Sequence, residues 1–227
     1  MKKIEFLKGF ELILWITSVV VVVSSFLIPE EKDYLTLIAS LIGVTALIFV
    51  AKGYVIGQVL TVIFAVFYGI ISYFFKYYGE MITYLLMTAP IAVMAVISWI
   101  KHPYHGGKVV EVGLVSKKQA IFMSISAVAV TIGLYFVLLA LGNANMLFST
   151  ISVTTSFVAS YLTFLRSPYY ALAYSANDVV LIILWSMAFV ENSAYLPMIV
   201  CFIVFLVNDL YGFINWSRMK RAQKDSK

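Results

Sequence analysis

Tyr174, Asn177, Asp178, Leu181 and Trp185 lie within one apolar run, residues 169–190. The run is long enough to cross a bilayer, which takes about 20 apolar residues as a helix. An aspartate near the middle of such a helix costs roughly 2.5–3.5 kcal/mol on insertion scales. A chain keeps it where it faces protein or water and has a task. Steps of four, three and four put Tyr174, Asp178, Leu181 and Trp185 on one helical face, with Asn177 at its edge. That stripe carries a phenol, an amide, an anion and an indole. A carboxylate beside aromatic faces suits a delocalised cation. The stripe is therefore read as the wall of a path for a small aromatic, cationic solute. The competing reading is a helix–helix contact in which Asn177 and Asp178 bond a neighbour. An ionisable residue within the membrane favours the path.

The last apolar run adds VNDLYGFINW at 207–216. Asn208, Tyr211 and Asn215 form a polar stripe at helical spacing, and Asp209 is about 100° round from Asn208. Asp209 is left open between the preceding helix, an interface and the cytoplasmic vestibule. Amides offer a donor and an acceptor each, which suits a carboxamide or sugar hydroxyls. Interhelical hydrogen bonding, worth about 0.6 kcal/mol per contact in membranes, is the plainer use of the same residues. Tyr211 and Trp216 also fit an interfacial aromatic belt. Upstream, Thr61, Tyr68 and Ser72 share one face, and Tyr84, Met87 and Thr88 share another below Glu80. Tyr68 and Tyr84 are expected to complete the pocket. His102 and His105 have no carboxylate or third ligand close by in sequence, so no metal site is expected. No dinucleotide, Walker A, nucleophile-elbow or zinc-protease motif occurs. The chain is thus expected to be neither an enzyme nor an ATP-driven pump, and to need no cofactor.

These residues must be held by membrane helices. Of 227 residues, 63% are hydrophobic and 12% charged, and mean hydropathy is +0.98, more apolar surface than a water-soluble domain of this length can hide. The net charge of +5 reports loop topology and attraction to anionic lipid. The basic residues are not interleaved with aromatics on a soluble face, so nucleic acid is not a partner. The single cysteine, Cys201, lies in an apolar run and implies no disulfide.

Eight apolar segments can be read, at about 12–28, 35–51, 55–75, 81–100, 119–141, 147–165, 169–190 and 196–216. The first follows Lys2 and Lys3 but is too long for a signal peptide and is expected to stay as a spanning helix. Proline at Pro90 is expected to kink the fourth. If every segment crosses, fourteen basic residues fall on one side. They are Lys2, Lys3, Lys8, Lys52, Lys101, Lys108, Lys117, Lys118, Arg166, Arg218, Lys220, Arg221, Lys224 and Lys227. The other side holds only Lys32 and Lys76, with Glu30, Glu31, Asp33, Glu80 and Glu191. Both termini are then cytoplasmic, in a multi-pass protein of the cell membrane.

Segments two to four and six to eight share a plan. Each starts with a helix rich in small and hydroxylic residues, turns at Lys52 or Arg166, and turns again beside Glu80 or Glu191. Each ends in tryptophan and a basic residue, ISWIK at 97–101 and INWSR at 214–218. The fifth segment restores orientation, so the repeats are parallel, an arrangement found in transporters. The divisions expected are an N-terminal segment (1–33), a first three-helix repeat (34–101), a cytoplasmic loop and linker helix (102–145), a second repeat (146–217) and a basic tail (218–227).

VAKGYVIGQVL at 50–60, FYGIISYFFKYYGEM at 67–81, Pro90 and LVNDLYGFINW at 206–216 resemble the PnuC-type nicotinamide riboside transporters, over nearly the whole chain. The resemblance implies an all-α, SWEET-like fold: two parallel three-helix bundles joined by one helix, here with an extra N-terminal helix. It implies facilitated diffusion of a vitamin precursor that a separate kinase traps, and relatives that handle thiamine or riboflavin. Asn208 and Tyr211 match the family's asparagine and tyrosine, and Gly79–Glu80 its Gly-Glu pair. Asp178 stands where many members have asparagine. Ala171 and Tyr174 replace two tryptophans, Tyr84 replaces an amide, and MAVISW stands where the fourth helix carries a tyrosine–glycine motif. A remodelled pocket follows, and Asp178 favours a fixed cation such as nicotinamide riboside or thiamine over neutral riboflavin. The other readings are a proton-coupled vitamin or nucleoside carrier, with Asp178 or Asp209 as the proton site, and a non-transporting membrane sensor. Membrane lipid and a small-molecule substrate are the expected partners, and a homo-oligomer is left open.

Overall fold

The structure, a computed structural model, describes residues 7, 9–30, 32–74, 77–143 and 145–226, and their side chains apart from those of Glu191 and Ser193. Lys2, Lys3, Lys8, Glu31, Lys76 and Lys227, with the Glu191 side chain, lie outside what is described. Eight helices among the described residues are long and apolar enough to cross a membrane. They are α1 (Phe10–Leu27), α2 (Tyr34–Ala51), α3 (Val55–Phe74), α4 (Tyr78–Lys101), α5 (Lys117–Ala140), α6 (Met146–Phe164), α7 (Tyr170–Glu191) and α8 (Leu196–Asp225). Among the described residues the regular structure is helical, apart from two isolated antiparallel bridges, Tyr54 with Val109 and Pro103 with Val110.

Local sequence sets the helix ends. Asp33 caps α2, its carboxylate accepting from the Leu35 and Thr36 amides at 3.0 and 3.2 Å. Ser116 and Gln119 form a reciprocal capping box at the start of α5. Gly53, at φ 71°, makes the left-handed turn between α2 and α3 that a side chain would strain. Thr83–Thr88 form a π-helical turn in α4, just before Pro90. Proline has no N–H and its ring crowds the carbonyl four residues back, so a widened turn relieves both effects. The expected disturbance at Pro90 is thus a π turn one step upstream.

Six helices pack side by side in a closed ring, in the order α2, α3, α4, α6, α7, α8 and back to α2. α1 lies outside, in the groove between α2 and α8, and α5 packs chiefly on α6. Only Ala127 and Leu138 of α5 are buried, and Ile121, Phe122, Ile125, Val128, Ile132 and Phe136 are exposed along it. Such a face needs lipid as its solvent.

One end of the ring gathers the α2–α3 turn, the α4–α5 loop, the α6–α7 turn and the end of α8. The Val110 amide donates to Gly53 O at 2.9 Å, Gly113 to Arg166 O at 2.9 Å, and Val112 to Gln223 Oε1 at 2.8 Å. The basic segment from residue 218 continues α8 to Asp225. At this end the two seams of the ring are closed by matching bonds. Trp99 Nε1 and Ser98 Oγ, on α4, donate to Thr163 O and Phe164 O at the end of α6, both at 3.0 Å. Trp216 Nε1 and Asn215 Nδ2, on α8, donate to Val50 O and Ala51 O at the end of α2, at 2.9 and 2.8 Å. The last turn of a helix leaves carbonyls without intrahelical partners, and both seams use the same two-residue device to satisfy them.

Candidate substrate cavity within the helix ring

A cavity opens inside the ring, with about 50 Å³ of water-accessible space. α2 contributes Gly43, Ala46, Leu47 and Val50, and α3 Gln58, Thr61 and Phe64. Tyr84 and Thr88 come from α4, Tyr170, Tyr174, Asn177 and Asp178 from α7, and Phe205 and Asp209 from α8. A water needs roughly 10–15 Å³ of such space, so a few waters would fit. Pockets that enclose drug-sized ligands run to about 300–1,000 Å³. A nucleoside-sized solute therefore needs the walls to part.

The close approach of α2 and α8 is set by Gly43. A Cβ there would stand 2.3 Å from Phe205 Cζ and 3.0 Å from Phe64 Cδ2. The missing side chain lets two rings occupy the cavity wall. The π turn of α4 carries both Tyr84 and Thr88 to the same wall. Tyr84 stacks edge-on against Tyr68 with ring centroids 4.3 Å apart.

Asp178 on α7 and Asp209 on α8 are each 3% exposed, and both line the cavity. Asp178 Oδ2 has no donor among the described residues. Gln58 is as deeply buried, and its Oε1 also lacks a donor among the described residues. Asn177 Oδ1 instead accepts from three α6 hydroxyls, Thr155 at 2.8 Å, Ser156 at 3.0 Å and Ser152 at 3.3 Å. Tyr84 of α4 lines the same cavity as Asn177. The Tyr174 hydroxyl pairs with Ser160 Oγ at 3.2 Å. No lysine, arginine or histidine lines the cavity among the described residues. The arrangement offers two carboxyls, two amides and three tyrosine rings in a water-poor interior, where an electrostatic contact is stronger than in bulk water.

Four of the nine residues singled out from sequence, Tyr84, Tyr174, Asn177 and Asp178, line this cavity. The other five stand elsewhere. Trp185 is fully buried and donates to the Tyr68 hydroxyl at 2.9 Å, in a packed aromatic cluster with Tyr77 and Phe202. Tyr68 thus backs Tyr84 from the layer behind. Asn208 donates to Ser18 Oγ of α1 at 3.0 Å and to Val204 O at 2.8 Å. Tyr211 donates to Glu11 Oε1 at 3.1 Å. Asn215 caps α2, as described. The Asn208–Tyr211–Asn215 stripe therefore faces α1 and α2. Helical phase explains this: the face of α8 turned to the cavity is that of Phe205 and Asp209.

Sequence reasoning did not single out Gln58, Tyr170, Phe64 or Phe205. Gln58 had a signal: an amide inside an apolar run has the same need for a polar neighbour as Asn177. Phe64, Tyr170 and Phe205 had none, since aromatic residues are spread across every segment.

Comparison with known proteins bears on what such a cavity is for. A family profile described as nicotinamide mononucleotide transporter matches residues 33–218. A protein named nicotinamide riboside transporter PnuC from Neisseria mucosa is 27% identical over 196 residues, covering 84% of this chain and 74% of that protein. One of the same name from Haemophilus influenzae is 24% identical over 224 residues, covering 96% of this chain and 95% of the other. The crystal structure of the vitamin B3 transporter PnuC superposes with a TM-score of 0.83 at 25% identity, covering 96% of this chain and 94% of that one. The expected resemblance and the eight-helix, all-α architecture both agree with these matches. The profile spans most of the chain, including every residue that lines the cavity, and the chain belongs to the nicotinamide mononucleotide transporter family.

Proposed function

We propose that this protein carries nicotinamide riboside, or a closely related cationic aromatic nucleoside or vitamin precursor, across the cell membrane through the ring cavity. The observation that carries the reading is the pair Asp178 and Asp209 on the wall of a membrane-enclosed cavity with no basic residue among its described lining. A pyridinium ring brings the missing positive charge. Tyr84, Tyr170 and Tyr174 offer faces for it to stack on. Asn177 Nδ2 and Gln58 Oε1 suit a carboxamide, which needs one donor and one acceptor. Thr61 and Thr88 suit ribose hydroxyls. Names borne by the relatives point to the same solute. Thiamine, also a fixed cation, ranks next, and neutral riboflavin after it.

Movement follows from the ring. A cavity this narrow admits a solute only when one end opens, and the two seams, α2–α8 and α4–α6, are where two halves of three helices can rock. We read residues 34–101 and 146–217 as these parallel halves, with the segment of α5 as linker and α1 as an addition. Both termini and the basic loop end lie in the cytoplasm in this reading, and a separate kinase traps the solute inside. The test is uptake of labelled nicotinamide riboside, thiamine and riboflavin into proteoliposomes. Nicotinamide riboside is expected to accumulate to equilibrium. Asp178→Ala is expected to lower its uptake at limiting concentration at least tenfold, the loss of one charge-assisted contact worth about 1.5–3 kcal/mol, while membrane insertion is retained. Unchanged uptake removes Asp178 from the mechanism.

A further inference from the structure

At the loop end of the ring, a groove of about 250 Å³ lies between the start of α7 and the end of α8. Tyr169, Phe213, Ser217, Lys220, Arg221 and Lys224 line it. On α8, positions 213, 217, 220, 221 and 224 share one helical face. The adjoining face fixes the helix in place. Gln223 is 7% exposed, accepts from the Val112 amide at 2.8 Å and donates to Val110 O at 3.1 Å. The three cations therefore stand on a helix fastened to the α4–α5 loop. Lys220 Nζ lies 5.9 Å from the centre of the Tyr169 ring, and that ring meets Phe213 at 6.2 Å between centroids. A cation over an aromatic face is held at a set place. No aspartate or glutamate lines the groove among the described residues. α7 also begins here, at Tyr170, so the positive end of its dipole adjoins the groove. Positive charge gathered in this way attracts an anion.

What lies below the cations says which anion. Toward the middle of the span, Leu172 of α7 and Leu210 and Ile214 of α8 are exposed. Cations at the top, two aromatic rings beneath them and aliphatic side chains lower down match an amphiphile with a phosphate head. A soluble phosphate would use only the cations. We propose that this groove binds one anionic phospholipid, with its phosphate on Lys220, Arg221 and Lys224 and its acyl chains along Leu172, Leu210 and Ile214. The arginine fork suits two phosphate oxygens at once, and the lysines add point charges. Ser217 offers a hydroxyl at the same level. Tyr169 and Phe213 stand where aromatic residues commonly sit, at the depth of the lipid headgroups. The other groove at this end, about 320 Å³ beside Tyr54 and Trp99, has Lys108 as its one basic residue among those described. It lacks the charge to select an anionic lipid. A lipid bound at 220–224 fastens the α6–α7 turn to the continuation of α8. The site does not depend on what the ring cavity carries.

The experiment titrates the purified full chain, in a neutral detergent, with phosphatidylglycerol and separately with zwitterionic phosphatidylcholine. Bound lipid is counted by native mass spectrometry. Phosphatidylglycerol is expected to bind at least tenfold more tightly than phosphatidylcholine and to raise the midpoint of thermal unfolding. Equal affinity for the two lipids overturns the proposal. Each basic residue at an anionic lipid surface is worth about fivefold. The triple variant Lys220→Ala, Arg221→Ala, Lys224→Ala is therefore expected to lower phosphatidylglycerol affinity at least tenfold. Arg221 and Lys224 are exposed and Lys220 half-buried, so its unfolding midpoint without lipid is expected to match the wild type. A second triple, Lys101→Ala, Lys117→Ala, Lys118→Ala, removes the same charge from exposed positions at the same end and is expected to keep wild-type affinity. Equal losses in the two triples mean diffuse attraction to the whole basic end and overturn the site. One arm needs no variant. Glycerol 3-phosphate or inorganic phosphate, at the concentration of the lipid, is expected not to displace it; displacement marks a site for soluble phosphate and overturns the lipid. None of these readouts involves uptake, so their failure leaves the reading of the ring cavity standing.

Discussion

Asn177 and Asp178 are sequence neighbours with opposite arrangements. The amide is held by three hydroxyls of α6, while the carboxylate leaves one oxygen without a donor among the described residues. The Asn177 oxygen is a strut between helices, and the Asp178 oxygen is available to a guest. Interhelical hydrogen bonds in membranes are worth about 0.6 kcal/mol each. Asn177→Ala is therefore expected to lower stability by about 1–2 kcal/mol, as read by reversible unfolding in mixed micelles. A drop in uptake with no stability loss would show that its bonds to Ser152, Thr155 and Ser156 do not matter. The sequence singled out both residues correctly as buried polar groups, because a polar side chain in lipid carries a cost that composition alone reveals. It could not divide their roles, because that depends on which hydroxyls of α6 come opposite. Asn208 and Asn215 show the same limit. Their spacing marked a polar stripe, but its target was α1 and the end of α2, and only tertiary packing decides that.

At the scale of elements, helix phase and helix distance place the cavity. Eight spans were legible from hydropathy, and Pro90 marked the irregular helix, but the last helix runs on through the basic segment to Asp225, past the expected end at 216. What periodicity could not give was the π turn at Thr83–Thr88, which brings Tyr84 and Thr88 to the wall. Nor could it show how near α2 comes to α8. Gly43 governs that distance. Gly43→Val puts branched bulk where a single Cβ would already lie 2.3 Å from the Phe205 ring. Phe205 has to swing toward the cavity. Overpacking of this kind costs about 1–3 kcal/mol, and uptake of nicotinamide riboside is expected to fall at least tenfold while the protein still inserts. Wild-type uptake by this variant would mean that the solute does not pass between α2 and α8. α1 adds an external brace. Its Glu11 pairs with Lys52 of the α2 end at 2.5 Å and accepts from Tyr211 of α8 at 3.1 Å, and its Trp15 donates to Thr45 of α2 at 3.2 Å. One added helix thus ties together both sides of the α2–α8 seam.

For the whole molecule, the two seams are the organising feature. The indoles of Trp99 and Trp216 close them by equivalent bonds, and their rings lie 5.3 Å apart at the loop end of the ring. The short repeat ISWIK and INWSR was the sequence trace of this arrangement, and its physical content is a tryptophan donating to a carbonyl at the end of the helix across the seam. The two halves proposed above, residues 34–101 and 146–217, meet at these seams, where rocking would open one end with the helices intact. The cavity between them is the part that must tell one solute from another, and its carboxyls make charge the first criterion. Equilibrium binding of nicotinamide riboside to the purified protein, set beside its dihydro form, tests this most directly, since the two share ring, carboxamide and ribose and differ in the positive charge. The cation is expected to bind at least tenfold more tightly, about 1.4 kcal/mol. Equal affinity for the charged and uncharged nucleosides would contradict the role given to Asp178 and Asp209.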